Sequence, residues 1–272
     1  MSKRTPFKEN FFKNQRQEPR KKKEFGQHFL RKNSTVDNMI SAVKVTPETT
    51  VLEIGCGDGF LTHAVLEQTR CKKLICYEID PEWIEVVRKK ISDPRLEIRH
   101  KNFLEITHEE FQVEAPWVVL ANVPYQITFP IFFTFVRHKQ FINEGVVMIQ
   151  EEVAQKIVAK QGRGYNPTSL LLQHHFDVSL MEKVEPEAFT PPPKVHSRLL
   201  YFKPKTAVTP IPNEEAFWKF AKLCFASPRR TLANNLKQAH YALEKFDEAT
   251  LKLRAQQISF VELLEIWQRL QS

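Results

Sequence analysis

The sequence is poor in the residues that form cross-links and metal sites. Its 272 residues include four cysteines, which show no CxxC spacing and no histidine at a metal-ligand interval. These are Cys56, Cys71, Cys76 and Cys224. Isolated thiols of this kind are typical of small apolar side chains in a reducing compartment. The pattern argues against a zinc site, and we expect a cytoplasmic protein without a bound metal.

Long hydrophobic runs are also missing. No apolar stretch approaches the roughly 18 residues that would suggest a membrane span, and the longest candidates, such as FPIFFTFVRHK (129–139), are interrupted. The first 25 residues contain no apolar segment of a secretory signal, and Glu9, Glu18 and Glu24 argue against a mitochondrial presequence. With 42% hydrophobic and 26% charged residues, the composition predicts a soluble globular protein that does not bind membranes.

Positive charge is abundant and unevenly distributed. The formal net charge is +8, and residues 1–25 hold nine Lys or Arg against three Glu, so +6 of the charge lies there. We interpret residues 1–24 as a basic, disordered leader. Such a run fits either a solvated tail that aids solubility or an arm that binds phosphates, which would steepen the salt dependence of binding. Charge alone does not choose between these roles.

Strand and helix patterns alternate through most of the chain. The stretch TPETTVLEIGCGDGFLTHAVLEQT (46–69) reads as a turn, a buried strand, a glycine-rich turn and a helix. Further strands are predicted in KKLICYEID (72–80), RLEIRHKNF (95–103), WVVLANVPY (117–125) and the segment that starts at residue 144. This alternation predicts an α/β fold, with an open, mainly parallel sheet and helices on both faces.

The pattern changes after residue 205. Prolines cluster in residues 205–213, and only helical periodicity follows, so we place a domain boundary there. The expected domains are residues 25–207 and a small all-helical C-terminal domain, residues 208–272. Before the boundary, His174 and His175 follow the run SLLLQ, and we expect them to end a strand or line a surface.

Three glycines, Gly55, Gly57 and Gly59, lie at the junction between the first buried strand and its helix. Glycine tolerates unusual backbone angles and lets a ligand approach the main chain, as turns that bind nucleotide-like cofactors require. Taken alone, the GxGxG spacing fits a purely structural turn as well.

An acidic residue strengthens the binding interpretation. Glu78 ends the next strand, 21 residues after Gly57, where a carboxylate can accept hydrogen bonds from both ribose hydroxyls of NAD or S-adenosylmethionine. Its alternative role is to stabilise the N-terminus of the helix near Pro81. Asn102 and Phe103, at the end of the third strand, are positioned to contact an adenine; a loop-capping Asn beside a core Phe is the structural alternative.

The fourth strand ends in NVPY (122–125), at the same edge of the sheet as the glycine turn. If the cofactor offers a methyl sulfonium and the acceptor is a nucleobase amine, two acceptors aimed at the amine's N–H groups would stabilise the positive charge developing during attack. Asn122 supplies a side-chain oxygen, Pro124 a backbone carbonyl, and Tyr125 a ring that can stack on the base. A turn that simply stops the strand is the alternative.

Together these segments resemble the small-subunit ribosomal RNA adenine dimethyltransferases, the KsgA type. The resemblance covers nearly the whole chain, in seven ordered matches. The matching segments are KKEFGQHFL (22–30), LEIGCGDGFLT, YEID, NVPYQIT, MIQEEVAQKIVAK, FTPPPKVHSRL and CFASPRRTLANNLK (224–237). The resemblance implies a Rossmann-like S-adenosylmethionine-dependent methyltransferase domain, a small helical C-terminal domain, and dimethylation at N6 of two adjacent adenosines in a hairpin loop of small-subunit rRNA.

The resemblance also implies roles for individual residues. The donor-binding set is His28, Leu30, Gly55, Gly57, Glu78, Asn102, Phe103 and Asn122. The target base would lie between Tyr125 and Phe189, after leaving its RNA stack at a cost of a few kcal/mol. Core packing before the proline run is the alternative for Phe189. The expected partner is the small ribosomal subunit with its rRNA, and the expected state is a monomer.

Two departures from the family pattern bear on these roles. Asn102 stands where the family usually has Asp, and an amide accepts a hydrogen bond without charge. Pro228 and Ala233 replace basic residues, which lowers the expected contribution of SPRRTLANN to rRNA binding; the basic leader is a candidate for compensating it.

Three other functions are consistent with parts of the sequence. The large-subunit rRNA adenine methyltransferases of macrolide resistance share the catalytic pattern, but FTPPPKVHS followed by RRTLANNL favours the small-subunit type. A ribosome-assembly factor with little catalysis would not need an intact NVPY. An NAD oxidoreductase would need a hydride-transfer site, and we find no paired histidine and carboxylate for it.

Overall fold

The computed structural model describes residue 19, residues 27–237 and residues 241–271. The predicted basic leader lies outside the described residues, apart from residue 19. No helix in the described part of the chain has the length and apolar character that crossing a bilayer requires.

The central element is a seven-stranded sheet. Its strands are β2 Thr50–Ile54, β3 Lys73–Glu78, β4 Leu96–His100, β5 Trp117–Asn122, β6 Ile142–Gln150, β7 Phe176–Val184 and β9 Ser197–Pro204. Their spatial order is β4-β3-β2-β5-β6-β9-β7. The first five strands in this order pair in parallel, and β9 pairs antiparallel with both β6 and β7. A separate two-stranded sheet joins β1 Phe29–Leu30 to β8 Phe189–Thr190.

Helices connect these strands and make up the C-terminal part. They are α1 Asn33–Ser41, α2 Phe60–Gln68, α3 Pro81–Lys90, α4 His108–Val113, α5 Thr128–Arg137, α6 Glu151–Val158 and α7 Pro167–His175. After β9 follow α8 Glu214–Cys224, α9 Leu232–Leu236, α10 Glu248–Lys252 and α11 Phe260–Gln271. The predicted α/β fold with a helical C-terminal region is confirmed.

Alternate residues of the strands enter two separate cores. Val51 of β2 belongs to one cluster of buried apolar side chains, and Leu52 and Ile54 belong to another. Since successive side chains of a strand point to opposite faces, the two clusters lie on the two faces of the sheet. A third cluster holds the C-terminal helices together with Tyr165 and Leu170 from the segment around α7.

One local prediction was wrong. The tandem His174 and His175 end helix α7 instead of a strand, and both are buried, at 7% and 6% exposure. The helix begins where the Asn166 side chain accepts hydrogen bonds from the backbone N–H groups of Thr168 and Ser169. Pro167 follows at the first helical position, where its fixed backbone angle and missing N–H cost nothing. The pair Asn166 and Pro167 is a helix start signal that the sequence contains, but the short apolar run after it also fits a strand.

Candidate active site

A pocket opens where β2, β3 and β5 end. It contains about 990 Å³ of empty volume, part of it open to solvent. In an open α/β sheet, this edge, at the carboxyl ends of parallel strands, is where ligands bind. The structure brings most of the predicted site residues to it. Those that line the pocket are His28, Leu30, Gly55, Gly57, Glu78, Asn102, Phe103, Asn122, Pro124 and Tyr125.

The glycine turn, residues 55–59, requires glycine for two reasons. Gly55, Gly57 and Gly59 have φ angles of +75°, +51° and +85°, which side chains rarely tolerate. A Cβ on Gly57 would also lie 2.5 Å from Cε1 of Phe29, a residue of β1. The segment that carries β1, residues 27–31, therefore packs directly on the turn. We call this segment the strap.

Glu78 is held rigidly at the end of β3. One carboxylate oxygen accepts hydrogen bonds from the backbone N–H groups of Ile79 and Asp80, at 2.8 and 2.9 Å. The other accepts from the N–H of Gly57 at 3.1 Å, so the acid also ties β3 to the glycine turn. Burial raises the pKa of Glu78, while the N–H groups oppose that shift. The oxygen that accepts from Gly57 is otherwise approached only by the thiol of Cys56, at 3.9 Å among the described residues, so it is the oxygen with room to accept a hydrogen bond from a ribose hydroxyl.

Sequence analysis missed a second acid in the pocket, Glu53. Its side chain is 2% exposed, and one oxygen accepts hydrogen bonds from the hydroxyl of Thr62 at 2.7 Å and the thiol of Cys76 at 3.0 Å. Burial raises the pKa of Glu53 to about 7, and the nearby carboxylates of Glu78 and Asp58 add to this rise. The residue is inside the strand pattern VLEI, so nothing in the sequence distinguishes it from a solvent-facing strand residue.

Asn102 and Phe103 form the side of the pocket next to β4. The oxygen of Asn102 accepts a hydrogen bond from the N–H of Leu104 at 3.1 Å, which caps the short 3-10 helix that starts there. Its amide nitrogen lies 3.4 Å from a carboxylate oxygen of Glu105. Phe103 is 3% exposed and contacts the ring of Tyr77 edge-on. The structure thus places both residues in the pocket and also gives both the structural roles named as alternatives.

The amide of Asn122 has a defined orientation. Its nitrogen donates a hydrogen bond of 3.0 Å to the backbone carbonyl of His28. Because a carbonyl only accepts, this contact identifies which end of the amide is NH₂. The oxygen is left with no hydrogen bond from any described residue, and it is an acceptor beside the pocket.

Pro124 and Tyr125 continue the chain around the pocket. The carbonyl of Pro124 already accepts a hydrogen bond from the N–H of Ile127 at 3.1 Å, and it keeps one lone pair free. The hydroxyl of Tyr125 is 2.6 Å from that of the buried Ser197 on β9, which fixes the ring at its far end. The ring of His28 lies nearly parallel to that of Tyr125, with centroids 6.0 Å apart.

Phe189 is placed differently from the other predicted residues. It is 3% exposed, belongs to a hydrophobic core cluster, and is not among the residues that line the pocket. In the small sheet it pairs with Leu30, which does line the pocket. A second contact joins the strap to this segment, because Nδ1 of His28 donates a hydrogen bond of 2.8 Å to the carbonyl of Pro191. Phe189 and Pro191 therefore contact residues of the strap that line the pocket, and Phe189 does not line the pocket itself.

An ion pair that the sequence did not reveal fastens the strap to the glycine turn. The guanidinium of Arg31 lies 2.6 Å from a carboxylate oxygen of Asp58, whose side chain is 2% exposed. Arg31 also donates to the carbonyl of Leu30 and lies over the rings of Phe29 and Phe60. The two residues are 27 positions apart, and only the folded chain shows that they meet.

Solved structures of similar fold indicate the class of protein. A dimethyladenosine transferase from Plasmodium falciparum superposes with a TM-score of 0.74 at 25% identity, covering 89% of this chain and 98% of that one. The 23S rRNA methyltransferase ErmE superposes with a TM-score of 0.69 at 24% identity, covering 90% and 100%. The sheet, the glycine turn and the acid that follows it are those of a Rossmann-like S-adenosylmethionine-dependent methyltransferase.

Sequence comparisons narrow the class to a family. The family model for ribosomal RNA adenine dimethylase matches residues 18–271, and the chain belongs to this family. Proteins named ribosomal RNA small subunit methyltransferase A are among its relatives. That of Chlorobium luteolum is 34% identical over 251 residues, covering 92% of this chain and 90% of the relative. That of Geobacter metallireducens is 35% identical over 241 residues, covering 85% and 86%.

Proposed function

We propose that this chain transfers methyl groups from S-adenosylmethionine to N6 of two adjacent adenosines in a hairpin loop near the 3′ end of 16S rRNA, during small-subunit biogenesis. Family membership and the named relatives support the substrate class. The single structural observation that carries the chemistry is the orientation of Asn122, whose oxygen is left free beside the pocket by the contact with His28.

The donor is proposed to bind along the strand ends. Glu78 would accept hydrogen bonds from the ribose hydroxyls, Asn102 and Phe103 would contact the adenine, and Gly55 and Gly57 would allow close approach of the backbone. His28 and Leu30 would cover the donor from the strap. When bound, the donor supplies an electrophilic methyl group on a sulfonium.

The acceptor amine is proposed to lie against the NVPY segment. The oxygen of Asn122 and the carbonyl of Pro124 would each accept one N–H of the amine, so that its lone pair turns toward the methyl group. Tyr125 would stack on the base, at about 1 to 3 kcal/mol per base. No general base is required, since the proton on N6 becomes acidic once the new N–C bond forms and can leave to water. The part of Phe189 as a second stacking residue stays a prediction.

We also propose that one chain suffices for catalysis, because residues of a single chain supply every group named above. The division of labour we propose is a methyltransferase domain at residues 25–207 and a helical domain at residues 208–272 that contributes to rRNA binding.

The test uses methyl-tritiated S-adenosylmethionine with small and large ribosomal subunits from a strain that lacks these modifications. We expect dimethyladenosine in small-subunit rRNA, and we expect Asn122→Ala to lower kcat by about 10²-fold to 10³-fold, the usual effect of removing one electrostatic contact to a reaction centre. Unchanged circular dichroism spectra and urea unfolding midpoints for the two proteins show that the variant is folded. Label confined to the large subunit would contradict the substrate, and binding of small subunits without label would contradict catalysis.

A further inference from the structure

A second cavity lies away from the active site, between α7 and the start of α11. It has about 800 Å³ of empty volume, part of it open to solvent. Its walls come from the connection between α6 and α7, from α7, from the segment after β9 and from the start of α11. We call it the α7–α11 cavity. None of the residues named in the catalytic proposal lines it.

The lining of this cavity is cationic. Lys160 and Lys205 both contribute to it, and none of its lining residues is an Asp or Glu. Lys160 is exposed and makes no ion pair or hydrogen bond with a described residue. The ammonium of Lys205 donates to the carbonyl of Gln173 at 2.6 Å and forms an ion pair with the exposed Asp177 at 4.0 Å, which leaves one of its three N–H groups for another acceptor.

His174 adds a polar group that has no partner. Its side chain lines the cavity, is 7% exposed, and forms no hydrogen bond or ion pair with a described residue. It is held by ring contacts to Phe260 and Trp218, at 4.9 and 5.9 Å between centroids. Because its ring nitrogens make no hydrogen bond with a described residue, they are available to a ligand in the cavity.

Aromatic and hydroxyl groups complete the lining. The half-buried Phe260 offers ring surface, and Thr209 and Ser259 offer hydroxyls, whereas the ring of Tyr165 is packed in the C-terminal core. Positive charge combined with ring faces and small polar donors is the composition of pockets that bind single-stranded RNA, where charge tracks the phosphates and rings stack on bases. A pocket that bound only an inorganic anion would not need the rings.

A metal ion is the competing occupant. Atoms of His174, His175 and Glu214 that could ligate a metal lie within 4.8 Å of one another. However, the ammonium of Lys139 donates a hydrogen bond of 2.8 Å to Nδ1 of His175, so the ring proton of the neutral imidazole lies on Nε2. After burial, the largest cause of the depressed pKa of His175, about 4, is the charge of Lys139. Lys139 therefore opposes a cation at His175, and the carboxylate of Glu214, 3.7 Å from Nε2, is the one nearby described group that would attract a cation.

We propose that the α7–α11 cavity binds an unstacked nucleotide of the rRNA substrate, with its phosphate on Lys160 and Lys205 and its base against Phe260 and His174. The proposal rests on the proposed function for the identity of the RNA. It assigns to this cavity a second contact with the substrate, separate from the methylated adenosines.

The kinetic test uses small subunits as the substrate. Lys160→Gln is the cleanest variant, because Lys160 has no structural partner among the described residues, and the exposed Lys203→Gln on β9 is its matched control. We expect Lys160→Gln to raise the KM for small subunits about threefold or more and to reduce the slope of log KM against log salt by about 0.7, the share of one phosphate contact on a single strand. Equal KM values for the two variants would overturn the proposal.

A binding test that does not depend on methylation separates this proposal from the proposed function. A hexamer of uridine contains no adenine, and it is titrated into the full chain while the His174 ring resonances, assigned with His174→Phe, are followed by NMR. A shift of these resonances, reduced in Lys160→Gln, is expected even if no subunit is methylated. Normal methylation with unmoved resonances would overturn the site alone, and a larger response to Zn²⁺ than to the hexamer would assign the cavity to a metal.

Discussion

The two walls of the active-site pocket are built in different ways. One wall consists of the ends of β2, β3 and β5 in the middle of a seven-stranded sheet, and it carries Gly57, Glu78 and Asn122. The opposite wall is the strap, whose two-residue strand β1 pairs, among the described residues, only with the two residues of β8. So short a ladder has little stability of its own. The strand ends are thus the fixed frame of the site, and the strap depends on its contacts with them.

This difference predicts where each function can be lost. Changes in the strand-end wall act on groups that hold the reactants and on the core beneath them. Changes in the strap loosen its attachment to the strand ends. They would affect the donor through Phe29, which packs on the glycine turn, and they would affect the FTPPP segment through its contacts with Leu30 and His28. The variants below separate the two walls.

The largest effect is expected where the walls touch. Gly57→Ala would place a Cβ 2.5 Å from Phe29 at a φ of +51°, so the strap must move away from the turn. We expect the Kd for S-adenosylmethionine to rise about tenfold to hundredfold, which combines strain of the backbone with displaced packing. Calorimetric titration with the donor measures it.

The control for this variant is Gly162→Ala. Gly162 also has a positive φ, +71°, but a Cβ there meets nothing within 4 Å, and the residue lies outside the pocket. It should lose stability and keep its affinity for the donor. Equal affinities for the two variants would show that the strap does not press on the turn.

The strand-end wall should respond to pH through Glu53. Burial raises the pKa of this carboxyl to about 7 from an ordinary value of 4.5, so between these values the folded chain binds a proton that the unfolded chain lacks. The resulting stabilisation is complete below pH 4.5 and is lost as the pH rises through 7. We expect the free energy of unfolding to fall by roughly 1 to 3 kcal/mol over this interval, relative to Glu53→Gln.

Urea unfolding at pH 5, 6, 7 and 8 measures this difference, with the exposed Glu48→Gln as the control. The control should follow the parent protein throughout. Parallel curves for the parent and Glu53→Gln would show that the Glu53 carboxyl does not change its protonation in this range.

The strap itself is tested through its ion pair. Arg31→Gln leaves the carboxylate of Asp58, which is 1% exposed, without this cation. We expect the Kd for the donor to rise about tenfold, because the strap is released from the turn, whereas a surface pair would contribute almost nothing. Arg31→Lys keeps the charge and should recover part of the affinity. Hydrogen exchange at residues 29 and 30 should increase in Arg31→Gln, and unchanged exchange would contradict the role.

The same contrast explains what the sequence could predict. The glycine turn, Glu78 and NVPY lie at successive strand ends, so strand pattern and spacing were enough to bring them to one edge of the sheet. The contacts of the strap join residues 29–30 to residues 189–190 and are invisible to local patterns. Glu53 looked like an ordinary strand residue because its burial and its partner Cys76 are properties of the folded sheet. The resemblance to a family supplied His28 and Leu30, which no spacing rule indicated.

The smallest effect is expected where Ser197 of β9 contacts Tyr125 of the NVPY segment. Ser197→Ala removes the hydroxyl 2.6 Å from that of Tyr125 and leaves the ring in place but less fixed at its far end. One neutral hydrogen bond contributes about 0.5 to 1.5 kcal/mol, so we expect the KM for small subunits to rise about threefold to tenfold with no change in the Kd for the donor.

Tyr125→Phe should reproduce the change, because it removes the same bond from the other side and keeps the ring that stacks. A double variant no worse than either single one would show that both act through this bond. If Ser197→Ala instead weakens donor binding, the NVPY segment and the donor-binding residues are coupled more tightly than the two-residue ladder between β1 and β8 implies.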